Sequence, residues 1–498
     1  MKADELRTIA RVLRDAGIQC DGGELRGYAT DASFLTLGVP SLIAFPKDEA
    51  ECVKLVDLAV QRHVAIVPRG TGSGTAGASI APPDAVLVDM ERVGACDTRG
   101  HRRGLFVPQV VNANGEPVDL AAAGPEDELY VRVGAGRTSD ETNRALSKSG
   151  WTVAVTPSSG YSTFGGNFAT NARGSGTPEY GPFGEAVNRL RMVVSSEEGA
   201  RVLELSNREE IRRLAGHHGL CGLVTELDVR IAPVLGADEM HCAVLSMDTA
   251  DAAHLGVTMG NLMKRVAGSC RYYAGEFLFI DAGIVRPDDP IRADSVLGGY
   301  FRVPAGHRKM VLLYRGRKDR MAALPTIARE FPEVEYREIT FPQFRAMMRV
   351  RTAATGKALR RVNVPGCEDF IIKDPARFGD VLTRMFATMA GADGRPVGHH
   401  YPDGVEVHYR PQAPVTKGGI EDAWNLNLRL REAVLRPELT VEDRREHGLG
   451  LALFKDGPAS RHEELRRLKA RYDHANVFCP HLLDPKLQGR FIGTQFAL

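Results

Sequence analysis

The segment that most restricts the architecture is a glycine-rich turn held between two apolar strands. Val64 to Val67 reads as a strand, Arg69 to Ala78 carries four glycines, and Ala85 to Met90 reads as a strand again. Inside the turn, Gly72-Ser-Gly74-Thr-Ala-Gly77 matches the pattern G-x-G-x-x-G, and Asp89 and Glu91 stand near the distance at which that pattern places a ribose-binding acid. A dinucleotide fingerprint of this kind opens a helix and needs a crossover of about 10 to 12 residues. Pro82-Pro83 and the strand at 85 leave no room for one. What remains is a loop whose glycines, lacking Cβ, let successive backbone N–H groups turn toward an anion, so that a diphosphate would sit in a nest without a helix behind it. A plain glycine-rich surface turn is the competing reading.

Around this turn the chain is organised in units. Pro40 to Pro46 reads as a strand and Glu49 to His63 as a helix leading into Val64 to Val67, a β-α-β unit. A second irregular, glycine-rich stretch runs from Thr156 to Gly184, after which Leu190 to Val194 resumes strand character before a turn at Glu197-Glu198-Gly199. Beyond about residue 235 glycines thin out, and helical patterns appear at Asp251 to Val266 and Pro375 to Met389. At 498 residues the chain needs two or three domains. With 64 basic and 63 acidic residues, nothing asks for nucleic acid or an anionic membrane. No apolar run of about 18 residues is present, and Met1 to Leu13 reads as an amphipathic helix rather than a signal peptide, so a cytoplasmic protein without an integral membrane segment is expected. Eight cysteines, at 20, 52, 96, 221, 242, 270, 367 and 479, form no C-x-x-C pair and are read as reduced structural thiols.

The second loop, Thr156 to Gly176, mixes glycines with Ser158, Ser159, Ser162, Thr163, Asn167, Thr170 and Asn171, a density of small donors and acceptors suited to a polar cofactor. Here the chain resembles the FAD-linked oxidases of the vanillyl-alcohol oxidase and p-cresol methylhydroxylase superfamily. Val67-Pro-Arg-Gly-Thr71 resembles that family's "VPRGxGT" loop, Gly165-Gly-Asn-Phe-Ala-Thr-Asn-Ala-Arg-Gly174 its "GGNxATNAxG" loop, and Gly219-Leu-Cys-Gly-Leu-Val-Thr-Glu226 its "GTLGIITE" segment. The resemblance covers about the first 235 residues. It implies noncovalent FAD with its diphosphate on the loop at 69 to 78 and its isoalloxazine near Pro157 to Asn171. The implied contacts are Pro68, Arg69, Gly70, Thr71, Gly72, Ser73, Gly74, Gly77 and Ala78, then Pro157, Ser158, Gly160, Ser162, Thr163, Gly165, Gly166, Asn167, Thr170, Asn171 and Gly174, then Gly222 and Val224. Where covalent relatives carry a histidine this chain has Ser73, which excludes a histidyl linkage there.

In the second half, Gly398-His-His-Tyr-Pro-Asp-Gly-Val-Glu-Val-His408 and Arg445-Glu-His-Gly-Leu-Gly450 look like the "HxGDGNxH" and "EHGxG" motifs of the D-2-hydroxy-acid dehydrogenase branch. That likeness implies His447 as catalytic base beside Glu446, and a divalent metal such as Zn or Mn on His400, His408 and Glu446. The chemistry suits the residues: an imidazole titrating near neutrality can take the hydroxyl proton, and a metal can polarise the substrate oxygen. With Asp403-Gly404 aligned to the motif, His400 takes the first ligand position and the second falls on Val407, one residue short of His408. One step along a strand reverses a side chain's face, so His408 would point away from His400, while Glu406 and His408 would share a face. A surface hairpin with incidental histidines is the competing reading. Arg351 resembles the family's "WxxR" arginine, a bidentate partner for a carboxylate, against the reading of a solvated helix face with Arg345 and Arg349. Lys357, Arg360 and Arg361 are further cationic candidates, and Cys479 is read as exposed.

The expected fold is α+β: a two-subdomain FAD-binding domain of the p-cresol methylhydroxylase type over 1–235, a ferredoxin-like antiparallel cap domain over 236–455, and a C-terminal segment over 456–498, including a helix from Ala459 to Tyr472, that returns to the FAD domain. The expected activity is oxidation of a small 2-hydroxy acid, resembling D-lactate or glycolate, by hydride transfer to flavin N5. Alternatives are an enzyme of the same fold acting without metal on an uncharged alcohol, phenol or sugar, and a noncatalytic electron-transfer subunit. The partners expected are the substrate and an electron acceptor, whether oxygen, a quinone, a cytochrome or an electron-transfer flavoprotein, with a homo-oligomer left open.

Overall fold

A computed structural model describes residues 3–23, 25–33, 35–95, 107–280, 290–354, 361–363, 369–389, 396–408, 412–414, 417–443, 459–484 and 486. The chain divides into two units: residues 1–174, 180–234 and 446–498 form the first, and 175–179 with 235–445 the second.

The first unit begins with α1 (Ala3–Asp15) and β1 (Gln19–Asp21), then β2 (Leu42–Phe45), α2 (Glu49–Arg62), β3 (Ile66–Arg69) and β4 (Val86–Asp89). Asp48 starts α2 by accepting from the Glu51 backbone N–H, and His63 ends it in the left-handed conformation. Between these caps Cys52, Leu55, Val56, Ala59 and Val60 recur at helical spacing and are buried. They pack on the parallel trio β2, β4 and β3, with β1 antiparallel on the far edge.

A second sheet of this unit is antiparallel. It contains β5 (Gln109–Asn112), β6 (Leu129–Gly134), β7 (Trp151–Val153), β8 (Val187–Ser196), β9 (Gly199–Leu205) and β10 (Leu223–Pro233). Its order is β5-β6-β10-β8-β9, with β7 also on β10. Between strands stand α3 (Ser139–Leu146), α4 (Phe164–Ala169) and α6 (Arg208–Leu214), while α5 (Thr177–Tyr180) belongs to the second unit except for Tyr180.

The second unit is built on one eight-stranded antiparallel sheet. Its elements are β11 (Met240–Thr249), α7 (Ala252–Ser269), β12 (Ala274–Ile280), β13 (Arg308–Arg317), α8 (Leu324–Arg329), β14 (Glu335–Glu338), α9 (Phe341–Ala354), β15 (Arg361–Asn363), β16 (Asp369–Ile372), α10 (Phe378–Thr388), β17 (Val397–Tyr401), β18 (Gly404–His408), β19 (Gln412–Pro414), α11 (Lys417–Val434) and β20 (Val441–Asp443). The sheet runs β14-β11-β13-β12-β17-β18-β16-β20. Alternation along the strands divides its side chains between two cores. On one face Leu245, Phe277, Leu312 and Val405 pack against Leu255 and Met259 of α7 and Phe378 and Leu382 of α10. On the other, Val244, Leu278, Val311 and Val397 pack against Phe344, Met347 and Val350 of α9.

The last described segment, α12 (Ala459–Tyr472) and the residues after it, packs in the first unit. Phe478 bridges to Ile66 and Asp473 to Ser195, both in parallel fashion. Cys479, read from sequence as exposed, is fully buried there, because its backbone N–H donates to the Ile66 carbonyl at 2.9 Å and draws the thiol inward. Burial pushes that thiol up to about 12. The described cysteines, Cys20, Cys52, Cys221, Cys242, Cys270 and Cys479, are free thiols. Among the described residues no helix is long and apolar enough to cross a membrane.

Candidate functional site

The first glycine turn leaves the C-terminal end of β3 and is tied down from both sides. Arg69 donates through Nη1 to the Thr30 carbonyl at 2.7 Å and lies over the Tyr28 ring, and Ala32 N–H donates to the Gly72 carbonyl at 2.9 Å. Asp31 closes the far end: it is buried, accepts from Ser33 N–H at 2.9 Å and from Ser79 Oγ at 3.0 Å, and its carboxyl is raised by that burial. Gly70 is required here. A Cβ at this position would strike the Thr163 hydroxyl, so the backbone of the first loop lies against the second loop with nothing between them.

Thr163 is also the N-cap of α4, its Oγ1 accepting from Gly166 N–H at 3.2 Å. The second loop is anchored to the segment after β6: Phe164 N–H donates to the Arg137 carbonyl at 2.9 Å and Gly165 N–H to the Ala135 carbonyl at 3.0 Å. Asn167, buried, reaches Ser139 Oγ at 3.4 Å. The third wall is the turn before β10, where Gly216 N–H donates to the Phe168 carbonyl and His218 N–H to the Ala169 carbonyl. Gly222, at φ +151°, has no space for a side chain, since a Cβ would collide with the Val193 carbonyl oxygen.

These three walls enclose one cleft with about 810 Å³ of empty space, part of it open to solvent. Pro68 through Gly74 and Ala78 line it from the first loop; Thr163, Gly165, Gly166, Asn167 and Thr170 from the second; Gly222 and Val224 from the third. Gly77, Pro157, Ser158, Gly160, Ser162, Asn171 and Gly174 lie outside that lining. Two of them shape the loop instead: Ser162 Oγ donates to the Ser159 carbonyl at 2.7 Å, and Asn171 Oδ1 accepts from Gly184 N–H at 2.9 Å. Sequence reasoning missed Asp31, Ser79, Met90, Ala135, His217, His218 and Gly219. Of these, His217-His218 was within reach, because it directly precedes the Gly219 motif. Thr71 Oγ1 is buried on the cleft with no hydrogen-bond partner among the described residues, which suits a polar group of a bound cofactor.

The second unit separates the two adjacent histidines. On β17, His399 and His400 point to opposite faces, and pairing places His399 opposite both Glu276 of β12 and Glu406 of β18. His400 is wholly buried on the face covered by α7 and α10. Tyr314 Oη is hydrogen-bonded to its Nδ1 at 2.7 Å, and the Tyr272 ring stacks on it at 5.3 Å between centroids. Burial lowers its pKa to about 3. The assignment of His400 as catalytic residue and first metal ligand is therefore corrected: it is a neutral core residue facing away from His408. The hairpin is not a surface feature, since all of β17 is buried.

His399 instead shares a face with His408, their rings edge to face at 5.2 Å, and stacks on Tyr401 at 5.3 Å. Arg351, with 2% exposure, lies on the buried side of α9, whereas Arg345 and Arg349 are exposed or partly so. Its Nε stands 2.9 Å from Glu276 Oε2, and its Nη2 donates to His399 Nε2 at 2.9 Å and to the Gly398 carbonyl at 3.1 Å. The other ring nitrogen, Nδ1 of His399, is 2.9 Å from the same Glu276 oxygen. Burial alone would raise Glu276, but Arg351 and His399 hold it below its ordinary value, and burial lowers His399. An accepting Nε2 makes Nδ1 the protonated nitrogen of a neutral imidazole, but the contacts of Nδ1 and of Arg351 Nε with Glu276 Oε2 are close approaches without hydrogen-bond geometry.

Among the described residues no group of three or more His, Cys, Asp or Glu side chains is placed to hold a metal ion. The set His400, His408 and Glu446 is not assembled, because the two histidines occupy opposite faces of the sheet and Glu446 lies outside the described residues. His447, Lys357 and Arg360 also lie outside them, as does the side chain of Arg361.

Comparison with known proteins bears on both units. Residues 40–203 match the profile of the FAD binding domain family. Over 201 residues the chain is 25% identical to alkyldihydroxyacetonephosphate synthase of Caenorhabditis elegans, covering 39% of this chain and 30% of that protein. It is 31% identical over 164 residues to D-2-hydroxyglutarate dehydrogenase of Haemophilus influenzae, covering 32% and 13%. With a glycolate oxidase subunit of Bacillus subtilis it is 25% identical over 214 residues, covering 41% and 40%. The chain thus spans less than half the length of these curated relatives. A solved structure of alkyldihydroxyacetonephosphate synthase aligns over 96% of this chain and 86% of its own, with TM-score 0.61 at 14% identity, a likeness of fold.

Proposed function

We propose that this chain, whose residues 40–203 belong to the FAD binding domain family, is an FAD-dependent oxidoreductase that oxidises the CH–OH group of a small 2-hydroxy acid. The observation that carries the reading is the three-walled cleft of the first unit, whose walls are drawn together by close approaches at Gly70 and Gly222 and whose Thr71 hydroxyl is buried without a partner among the described residues. Pro68 to Gly74 would hold the diphosphate by backbone N–H groups, and Thr163, Gly166, Asn167 and Thr170 the rest of the cofactor. When bound, FAD supplies a two-electron acceptor for the hydride leaving the substrate carbon. The hydroxyl proton must leave at the same time, and His447 is the proposed base, with Glu446 beside it. Relatives named for D-2-hydroxyglutarate, D-lactate and glycolate support the acid as substrate.

A second reading, an uncharged alcohol as substrate, is favoured by one feature of the second unit. Arg351, the proposed carboxylate partner, already faces Glu276 at 2.9 Å, which neutralises its charge. Anaerobic bleaching of the flavin band separates the two. D-2-hydroxy acids should bleach purified flavoprotein and neutral alcohols should not; the reverse establishes the second reading, and a protein that takes up no FAD overturns both. His447→Ala should slow bleaching by about 10²- to 10⁴-fold.

A further inference from the structure

The resemblance behind the proposed function implies a divalent metal, and the described residues of the second unit do not fit one. A metal ligated by His399 needs a ring lone pair. Nε2 accepts from Arg351 Nη2 at 2.9 Å, which leaves the ring hydrogen on Nδ1, and Nδ1 stands 2.9 Å from Glu276 Oε2 in a contact without hydrogen-bond geometry. Glu276 in turn faces Arg351 Nε at 2.9 Å. The carboxylate and the imidazole that a metal would recruit are closed around a guanidinium, and Glu276, His399 and Arg351 are each at most 4% exposed. A second cation in this space would meet Arg351 at close range in a site of low dielectric.

We propose that Arg351 is the resident cation of this centre, standing where a divalent metal would otherwise bind between Glu276 and His399, so that the protein folds and works without metal. Glu276 is then a positioning residue: it fixes the guanidinium and the His399 tautomer together. The proposal rests on the oxidoreductase reading only for what the centre acts on, since its geometry lies entirely within the second unit.

The test reads metal directly, apart from turnover. Purified flavoprotein is assayed for bound metal by elemental analysis, then melted with EDTA, with Zn²⁺ and with Mn²⁺. Wild type should hold well under one equivalent, and its melting temperature should not move. Arg351→Ala empties the space and releases the Nε2 lone pair, so it should take up stoichiometric Zn²⁺ and gain melting temperature on doing so; Arg351→Lys, which restores a cation, should not. Stoichiometric metal in wild type, or a fall in its melting temperature with EDTA, overturns the proposal. So does an Arg351→Ala protein that takes up no more zinc than wild type. Failure of the oxidoreductase reading would show separately, as absent flavin bleaching whatever the metal content.

Discussion

Two adjacent histidines on β17 have opposite fates, and the difference is titratable. His400 is hydrogen-bonded to Tyr314 in a fully buried site, and that burial lowers its pKa to about 3. An unfolded histidine titrates near 6.5. Between those values the unfolded chain binds a proton that the folded chain refuses, so the stability this group contributes is complete above about pH 6.5 and is lost as pH falls toward 3. The slope approaches about 1.4 kcal/mol per pH unit. His400→Gln keeps a polar partner for Tyr314 and does not titrate. In urea titrations at pH 7, 6 and 5 the variant should start less stable than wild type, and the gap should close by about 1 kcal/mol between pH 6 and pH 5. Parallel profiles would mean that His400 is not the buried neutral group described.

At the scale of elements, the cleft depends on the bare backbone of one loop touching a side chain of the other. The Gly70 backbone faces Thr163, whose hydroxyl caps α4, so Gly70→Ala should push Thr163 aside and Thr163→Ala should uncap the helix, a loss of about 1 kcal/mol. Each change should weaken FAD binding. The double variant should be no weaker than the worse single one, because removing the Thr163 hydroxyl makes room for the methyl group added at position 70. Strictly additive losses, read as FAD dissociation constants, would show that the loops act independently. Much of this arrangement was legible in sequence: Pro82-Pro83 ruled out a helix after the first glycine turn, and the periodicity of Glu49 to His63 marked α2. In the hairpin at 397–408, His408 facing away from His400 and sharing a face with Glu406 was legible too, but which face meets which helices was not. Its turn is Pro402-Asp403, with Tyr401 opposite Gly404, and this pairs His399 with Glu406. Which of the two faces receives α9 rather than α7 and α10 is decided by packing of helices far away in sequence. Glu276 was invisible for a related reason, lying more than 120 residues before its partner His399 and within no motif.

At the scale of the whole chain, the FAD-binding unit is completed by residues from near the other end of the sequence. Asp473, buried, accepts from Lys469 Nζ at 2.5 Å, Ser195 Oγ at 2.6 Å, Phe478 N–H at 2.9 Å and Val477 N–H at 3.0 Å. One carboxylate thereby folds the segment after α12 into a turn and fastens it to β8. The segment then runs along β3, the edge strand of the parallel sheet, where Ile66 N–H donates to the Val477 carbonyl at 2.8 Å and Cys479 N–H to the Ile66 carbonyl at 2.9 Å. It occupies an edge that would otherwise be open. Because β3 leads straight into the glycine turn, anything that loosens this edge should also loosen the cleft. Asp473→Asn replaces two acceptors by one and turns an amide toward Lys469, and breaking a buried ion pair of this kind typically costs about 3–5 kcal/mol. The variant should melt lower than wild type and bind FAD roughly tenfold more weakly or worse, a loss of about 1.4 kcal/mol or more in binding. FAD at about 100 times its dissociation constant contributes roughly 2.7 kcal/mol, so saturating FAD should restore part of the lost melting temperature. A variant that melts lower but binds FAD with unchanged affinity would show that the C-terminal segment only stabilises the unit and has no part in shaping its cleft.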